Sequence, residues 1–302
     1  MRSQITKSDY SGQNIYIGID VHLKSWNVTV MMDSVFQKTF SQPPNPLALR
    51  KHLEANYPRA TYFSAYEAGF SGYWAHYQLM ELGINSIVVN AADVPTTGKE
   101  KLQKEDSRDS KKIARSLKNG ELIPIHVPSL VTLDNRTLVR FRQTVSKDLA
   151  RVKCRIKSFL NLNGIEIPEE FKGKKWSKKF VQWLKELELS PSCRLGLNGH
   201  LSLYHNLNLE KTNSKQQVKL LSASSIYKED VELLLKIPGI GLITAMLILT
   251  ELESMQRFRS FDNLCSFIGL GPSTYSSGEK VRMGDSTPVV YIHLMLPTNP
   301  YV

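Results

Sequence analysis

Cysteine is scarce in this sequence, with three in 302 residues, at positions 154, 193 and 265. An odd number so widely separated excludes a disulfide framework and offers no zinc-ligand spacing, and it points to a reducing, cytoplasmic compartment. Long apolar runs are also lacking. None approaches the ~18 residues of a membrane-spanning helix, and the longest, around "GLITAMLILTEL", has the length of a buried helix. The opening "MRSQITKSDYSGQN" has no apolar signal-peptide core, and no basic amphipathic anchor or lipidation signal is present, so no membrane partner is expected. Acidic residues run short: 28 against 39 Lys and Arg, for a net charge of +11. That imbalance points to a polyanionic partner, nucleic acid above all. The length suits one large domain or two ordinary ones, and 41% hydrophobic with 22% charged residues is the balance of a globular chain.

The N-terminal part alternates strand and helix signals. "IYIGID" (15–20), "WNVTVMM" (26–32) and "SVFQKTFS" (34–41) predict an antiparallel meander. "NPLALRKHLEANY" (45–57) predicts a helix capped by Asn45, with Pro46 at its first position. A strand at 60–67, a helix at 72–83 ending in Gly83, a strand at 85–90 and a helix from about 106 follow. Three strands before the first helix distinguish this mixed α/β order from a doubly wound nucleotide fold. From about 129 the pattern turns helical. In 134–164, Leu138, Phe141, Val145, Leu149, Val152, Ile156 and Phe159 recur at spacings of three and four between many Arg and Lys. Gly164 and Pro168 stop this helix, and 169–232 reads as helices with loops. No internal repeat is visible.

Four carboxylates stand out. Asp20 ends the first strand and Glu67 ends the strand beginning near 60; Asp106 and Asp109 share one helix face at i and i+3. Each has a plain reading: a turn after a buried strand, an exposed residue beside glycine, and the solvated start of a helix. Together, on neighbouring elements, they would repel one another unless hard cations held them. Mg²⁺ takes oxygen ligands, and two ions ~3.5–4 Å apart stabilise attacking and leaving oxygens in phosphoryl transfer. "IPGIG" (237–241) reads as a helix-hairpin-helix turn or as a plain glycine turn before a buried helix. "FKGKKWSKKF" (171–180) reads either as a backbone track with stacking aromatics or as a solvated helix with an apolar face.

"YIGIDVHLKSWNV", "YEAGFSGYW", "DVPTTGKEKLQKEDSRDSKKIARSLKNGEL", "IPGIGLITA" and "FRSFDNLCSFIGLGPSTYSSGEKVRMG" together resemble the insertion sequence 110 transposases, DEDD recombinases related to the Piv DNA invertase. The resemblance spans nearly the whole chain in order. It implies a RuvC-like domain of ribonuclease H fold at 1–125, a helical coiled-coil spacer at 126–230 that also forms the dimer contact through the Leu138–Phe159 seam, and a mainly helical, serine-containing domain at 231–302. It places the metal-binding carboxylates, with Mg²⁺ (two ions), at Asp20, Glu67, Asp106 and Asp109. It places a nucleophile that would form a phosphoserine link to DNA at Ser277, with Ser276 its neighbour. Lys111, Lys112, Arg115, Lys174, Lys175, Gly239, Gly241, Lys280 and Arg282 are the candidate nucleic-acid contacts. The implied partners are donor and target DNA, a structured noncoding bridge RNA, and further copies of the chain in a dimer or tetramer, in a prokaryotic cytoplasm at the nucleoid.

After "RMGDSTP" the family continues with a basic Gly-Asn segment and a further helix, whereas this chain reads "VVYIHLMLPTNPYV". That departure predicts a C-terminal domain altered after about 288, with an apolar tail from Val289 to Leu296 that favours aggregation. Two other readings therefore stand beside the transposase: a Holliday-junction resolvase-like nuclease using only the carboxylates, and an inactive nucleic-acid-binding remnant.

Overall fold

The computed structural model describes residues 9–32, 35–95, 106–171, 176–270, 272–277 and 280–286. The chain divides into two compact units, residues 1–127 with 261–302, and residues 128–260.

The first unit is built on a five-stranded mixed sheet. Strands β1 (Asn14–Val21), β2 (Trp26–Met32) and β3 (Val35–Gln42) form the expected antiparallel meander. Helix α1 (Pro46–Asn56) then leads to β4 (Thr61–Glu67), which returns parallel to β1, and α2 (Trp74–Glu81) leads to β5 (Ile84–Val89), parallel to β4. The order across the sheet is β3-β2-β1-β4-β5. Asn45 caps α1 through its side chain, accepting from the Leu47 and Ala48 amides, and Pro46 opens the helix where no amide is needed. Gly83, at φ +72°, turns the chain from α2 into β5.

Strand alternation assigns the two faces. Ile15, Ile17 and Ile19 of β1, Trp26, Val28 and Val30 of β2, Tyr62 and Tyr66 of β4, and Ile84 and Val88 of β5 pack with Leu49 and Leu53 of α1 and Ala75 and Leu79 of α2. Each such fully buried aliphatic side chain contributes roughly 1.5–3 kcal/mol. The opposite face carries Tyr16, Gly18, Asp20, Thr29 and Ala65. Helix α3 (Asp106–Lys118) lies on it, with Ile113 joining a smaller core of Ala65, Val89 and Val94.

The second unit is helical: α4 (Leu130–Leu162), α5 (Lys178–Glu186), α6 (Pro191–Ser222), α7 (Lys228–Leu234) and α8 (Leu242–Leu252). Helices α4 and α6 run antiparallel, since Val139 meets Val218 while Leu149 through Leu160 meet Leu197 through Tyr204. The polar "NLEKTNSKQQ" is thus part of one continuous helix, its helicity supported by the partner alongside.

Two stretches are resolved by packing. Val145, Leu149, Val152 and Ile156 of the apolar seam are buried inside the chain, the last three against α5 and α6, while Phe141 of the same seam is 45% exposed. The aromatics of "FKGKKWSKKF" follow the second of their two readings, an apolar face. Phe171, Trp176 and Phe180 pack edge-to-face, tilted and stacked with Trp183 and Tyr204 at ring separations of 4.9 to 5.7 Å.

Helix α4 begins four residues before the sequence-based start, because Ser129 caps it and a distant side chain completes the cap. Glu253 Oε1 accepts from the Ser129 amide and the Thr132 hydroxyl, both at 2.8 Å. One turn on, Arg140 donates a two-pronged pair to buried Glu251 at 2.6 and 2.8 Å, and Arg136 donates to the Thr250 carbonyl at 2.9 Å. These contacts clamp α8 to the start of α4.

In the C-terminal segment, α9 (Phe261–Ile268) precedes an antiparallel pair, β6 (Pro272–Ser277) and β7 (Lys280–Ser286). Ser276 and Ser277 therefore lie on a strand, where a mainly helical segment was expected. The tail from Val289 to Leu296 lies outside the described residues.

Glu251→Ala is expected to destabilise the second unit by about 3–5 kcal/mol, read by urea unfolding, because it strands a buried guanidinium. A destabilisation below 1 kcal/mol would show that Arg136 and Arg140 re-solvate without cost.

Burial lowers the pKa of His52, with Lys38 adding to the effect, and burial likewise lowers that of His76. With folded-state values below the ordinary 6.5, the unfolded chain binds more protons as pH falls below 6.5. Stability should therefore decline there and level off once the folded-state values are passed. His52→Gln with His76→Gln should flatten that decline in thermal unfolding measured from pH 7.5 to 4.5.

Candidate active site

The two strand-borne carboxylates come together through sheet register. Ile19 and Tyr66 are register partners on the adjacent parallel strands β1 and β4. Asp20 and Glu67 follow them, at the same end of the sheet and on the face that α3 covers. The Asp20 side chain is 20% exposed, with its Oδ2 3.0 Å from His22 Nε2. Asp106 is the first residue of α3, and its side chain lies outside the description. Asp109, one turn further and half-buried, has Lys112 Nζ 3.8 Å from its Oδ1.

Gly18 and Thr29, register partners on β1 and β2, fix where α3 lies. A β-carbon at Gly18 would come within 2.1 Å of the Ser110 carbonyl oxygen and 2.4 Å of the Ala114 amide nitrogen. The helix backbone thus rests directly on the strand, an approach only glycine allows. Beside it, the buried Thr29 hydroxyl lies 2.8 Å from Ser110 Oγ and 2.7 Å from Thr39 Oγ1, a hydroxyl chain joining α3 to β2 and β3. Since Ser110 follows Asp109 directly, the contact that seats the helix also sets the height of that carboxylate above the sheet.

Basic residues surround this face. Lys111 sits 5.0 Å over the Phe36 ring of β3, Lys112 neighbours Asp109, and Arg115 is exposed on α3. Such cations suit a phosphate backbone running across α3. The remaining candidates lie on other elements. Gly239 takes φ +89° in the turn between α7 and α8, and Gly241 is the N-cap of α8, which has no side-chain cap. Ser277 and Lys280 are register partners at the end of the β6–β7 pair, and Tyr275 pairs with Arg282. Lys174 and Lys175 lie outside the described residues.

Asp20, Glu67 and Asp109 are hard oxygen donors of the class Mg²⁺ prefers. Among the described residues, however, no group of three His, Cys, Asp or Glu is disposed to hold one ion. The donor chemistry fits magnesium. Sequence reasoning missed His22, Thr29, Ser110 and Gly18. Only His22 carried a signal, being two residues from Asp20 and so on the same side of an extended chain.

The mixed sheet with a helix over the ends of β1 and β4, followed by a mostly helical remainder, is consistent with a ribonuclease H-like transposase of the DEDD type. Residues 17–163 match the DEDD transposase model of the IS110 group, and residues 231–288 match the model described as the transposase IS116/IS110/IS902 family. The chain belongs to the IS110 family of transposases. It is 28% identical over 222 residues to a putative transposase, y4qE, of Sinorhizobium fredii, covering 73% of this chain and 52% of that protein. It is 23% identical over 256 residues to the transposase for insertion sequence element IS1533 of Leptospira borgpetersenii, covering 81% and 71%. It is 21% identical over 212 residues to the transposase for insertion sequence element IS1111A of Coxiella burnetii, covering 70% and 57%. The chain thus spans about half the length of the first of these relatives. Among the described residues, no helix is long and apolar enough to cross a membrane.

Gly18→Ala is expected to destabilise the first unit by about 1–3 kcal/mol, because the added methyl meets backbone that cannot rotate away. Gly69→Ala, with no atom within 4 Å of its added β-carbon, is the control. Equal urea midpoints for the two variants would show that α3 shifts freely on the strand.

Proposed function

We propose that this protein is a DNA transposase that cuts and rejoins strands through a composite carboxylate–serine site, guided by a structured bridge RNA. The observation that carries this reading is the convergence of Asp20 and Glu67 at neighbouring strand ends, beneath a helix that brings Asp109 and is seated by Gly18 and Thr29. In this reading Asp20, Glu67, Asp106 and Asp109 hold two Mg²⁺ ions, which supply charge stabilisation at the reacting phosphate. Lys111, Lys112 and Arg115 grip the adjacent backbone. The turn at Gly239 and Gly241 offers main-chain amides to a further phosphate as a helix-hairpin-helix would, and Lys280 and Arg282 do the same with side-chain charge.

Ser277 is the proposed nucleophile. Its Oγ forms an ester bond to phosphorus as the bond from phosphorus to the leaving deoxyribose oxygen breaks. The hydroxyl proton passes to a nearby base, and the leaving oxygen takes up a proton. A second strand's hydroxyl reverses the same exchange and releases the serine. Base pairing by the RNA supplies sequence choice while the protein holds backbones, which suits a net charge of +11. Joining two DNA segments requires several strands held at once, hence a dimer or tetramer.

The test is a denaturing-gel assay for a covalent protein–DNA adduct, with Mg²⁺, the flanking noncoding RNA of the element and its junction DNA. The expected outcome is an adduct that disappears in Ser277→Ala and in Asp106→Ala, each by at least about 100-fold. Metal-dependent cleavage without an adduct would replace this reading with a resolvase-like nuclease. Nucleic-acid binding with neither would mark a binding remnant.

A further inference from the structure

Large apolar side chains are exposed on both loops that leave the carboxylate-bearing strands. After β1 comes Leu23, 80% exposed, and after β4 comes Phe70, 46% exposed. The loop that carries Phe70 is pinned at several points. The Ala68 amide donates to the Val89 carbonyl at 2.8 Å, and the Gly72 amide to the Gly69 carbonyl at 3.1 Å. The buried Tyr66 hydroxyl donates to the Gly72 carbonyl at 3.1 Å and accepts from the His76 amide. Within this braced turn Ser71 Oγ is buried while Phe70 faces solvent. An anchored loop that turns a small polar group inward and a phenyl ring outward holds that ring in a set place. Phe70 lies three positions after Glu67, at most about 11 Å of chain, so the ring stands within one or two nucleotides of a phosphate held at the carboxylates.

We propose that Phe70 is a stacking platform for an unpaired base next to the reacting phosphate. The inference rests on the proposal that the carboxylate face handles DNA. A base fits better than a protein side chain, because the platform adjoins carboxylates that would hold metal ions to which a phosphodiester binds, and the chain is strongly basic. A π-face accepts any base, so the contact positions the strand without reading its sequence. Phe70 is then a positioning residue. It holds one nucleotide out of the duplex so that the adjoining phosphate reaches the carboxylates.

The test uses the full chain with Ca²⁺ in place of Mg²⁺, a hard cation that the carboxylates can hold for binding without cleavage, and a forked DNA duplex with 2-aminopurine as its first unpaired base. Saturating wild-type protein should quench the fluorophore, and Phe70→Trp should do the same. Phe70→Ala should abolish the quenching and weaken fork binding about ten-fold, leaving affinity for a fully paired duplex unchanged. The proposal is overturned if wild-type protein fails to bind the fork or to quench it, if Phe70→Ala quenches like wild type, or if it weakens fork and duplex binding equally. Adduct formation plays no part in this readout. Failure of the adduct assay with fork quenching intact would remove the recombinase reading and leave the platform standing.

Discussion

One backbone contact organises the first unit: α3 lies against β1 at Gly18, closer than any side chain would permit. The sheet face around it is built for that approach. Thr29 on one side and Ala65 on the other keep the surface low, and the Thr39–Thr29–Ser110 hydroxyl chain satisfies polar groups that the contact dries out. Because α3 carries Asp109 one position before Ser110, steric fit and carboxylate placement are one constraint. A helix raised by even a methyl group would lift the acidic residues from the strand ends that bear Asp20 and Glu67.

Charge is handled differently in the two units. On the carboxylate face, Asp20 and Asp109 each have a cationic or protonatable neighbour, His22 at 3.0 Å and Lys112 at 3.8 Å. The Arg136–Arg140–Glu251 cluster is buried and hydrogen-bonded on several sides, and serves to fix helix register. Glu253, at φ +59°, is held in a rarely occupied conformation by its bonds to Ser129 and Thr132. The clamp therefore carries backbone strain that a merely structural connection could avoid.

The strands, the first helix and its Asn45–Pro46 start were legible because alternation and capping act locally. The four acidic positions were legible as residues, and their shared sheet face followed once β1 and β4 were neighbours. Gly18 was invisible, since a glycine in a strand shows nothing of the helix that will land on it ninety residues later. The start of α4 was placed four residues late because the local Ser129 cap is completed by the distant Glu253. The apolar seam was legible as a largely buried stripe, though one helix alone cannot show whether its mate is its own chain or a copy. The aromatics near 171–180 were left between two readings. Interleaving with lysine describes the sequence order, while the three-dimensional neighbours of Phe171, Trp176 and Phe180 are one another.

The sheet order also has a kinetic meaning. The β3-β2-β1 half is joined by short hairpins and can form from contiguous chain, while β4 and β5 must close crossovers through α1 and α2, and α3 docks later still in the chain. Loop-closure entropy makes the local half quick and the crossovers slow. Asp20 sits on the boundary between the halves, so the first acidic residue is in place early and alone. Glu67 arrives only with the parallel pairing, and Asp109 only when Gly18 receives its helix. A chain emerging from synthesis thus begins folding with its acidic groups apart, and they meet only as the crossovers and α3 close on the meander.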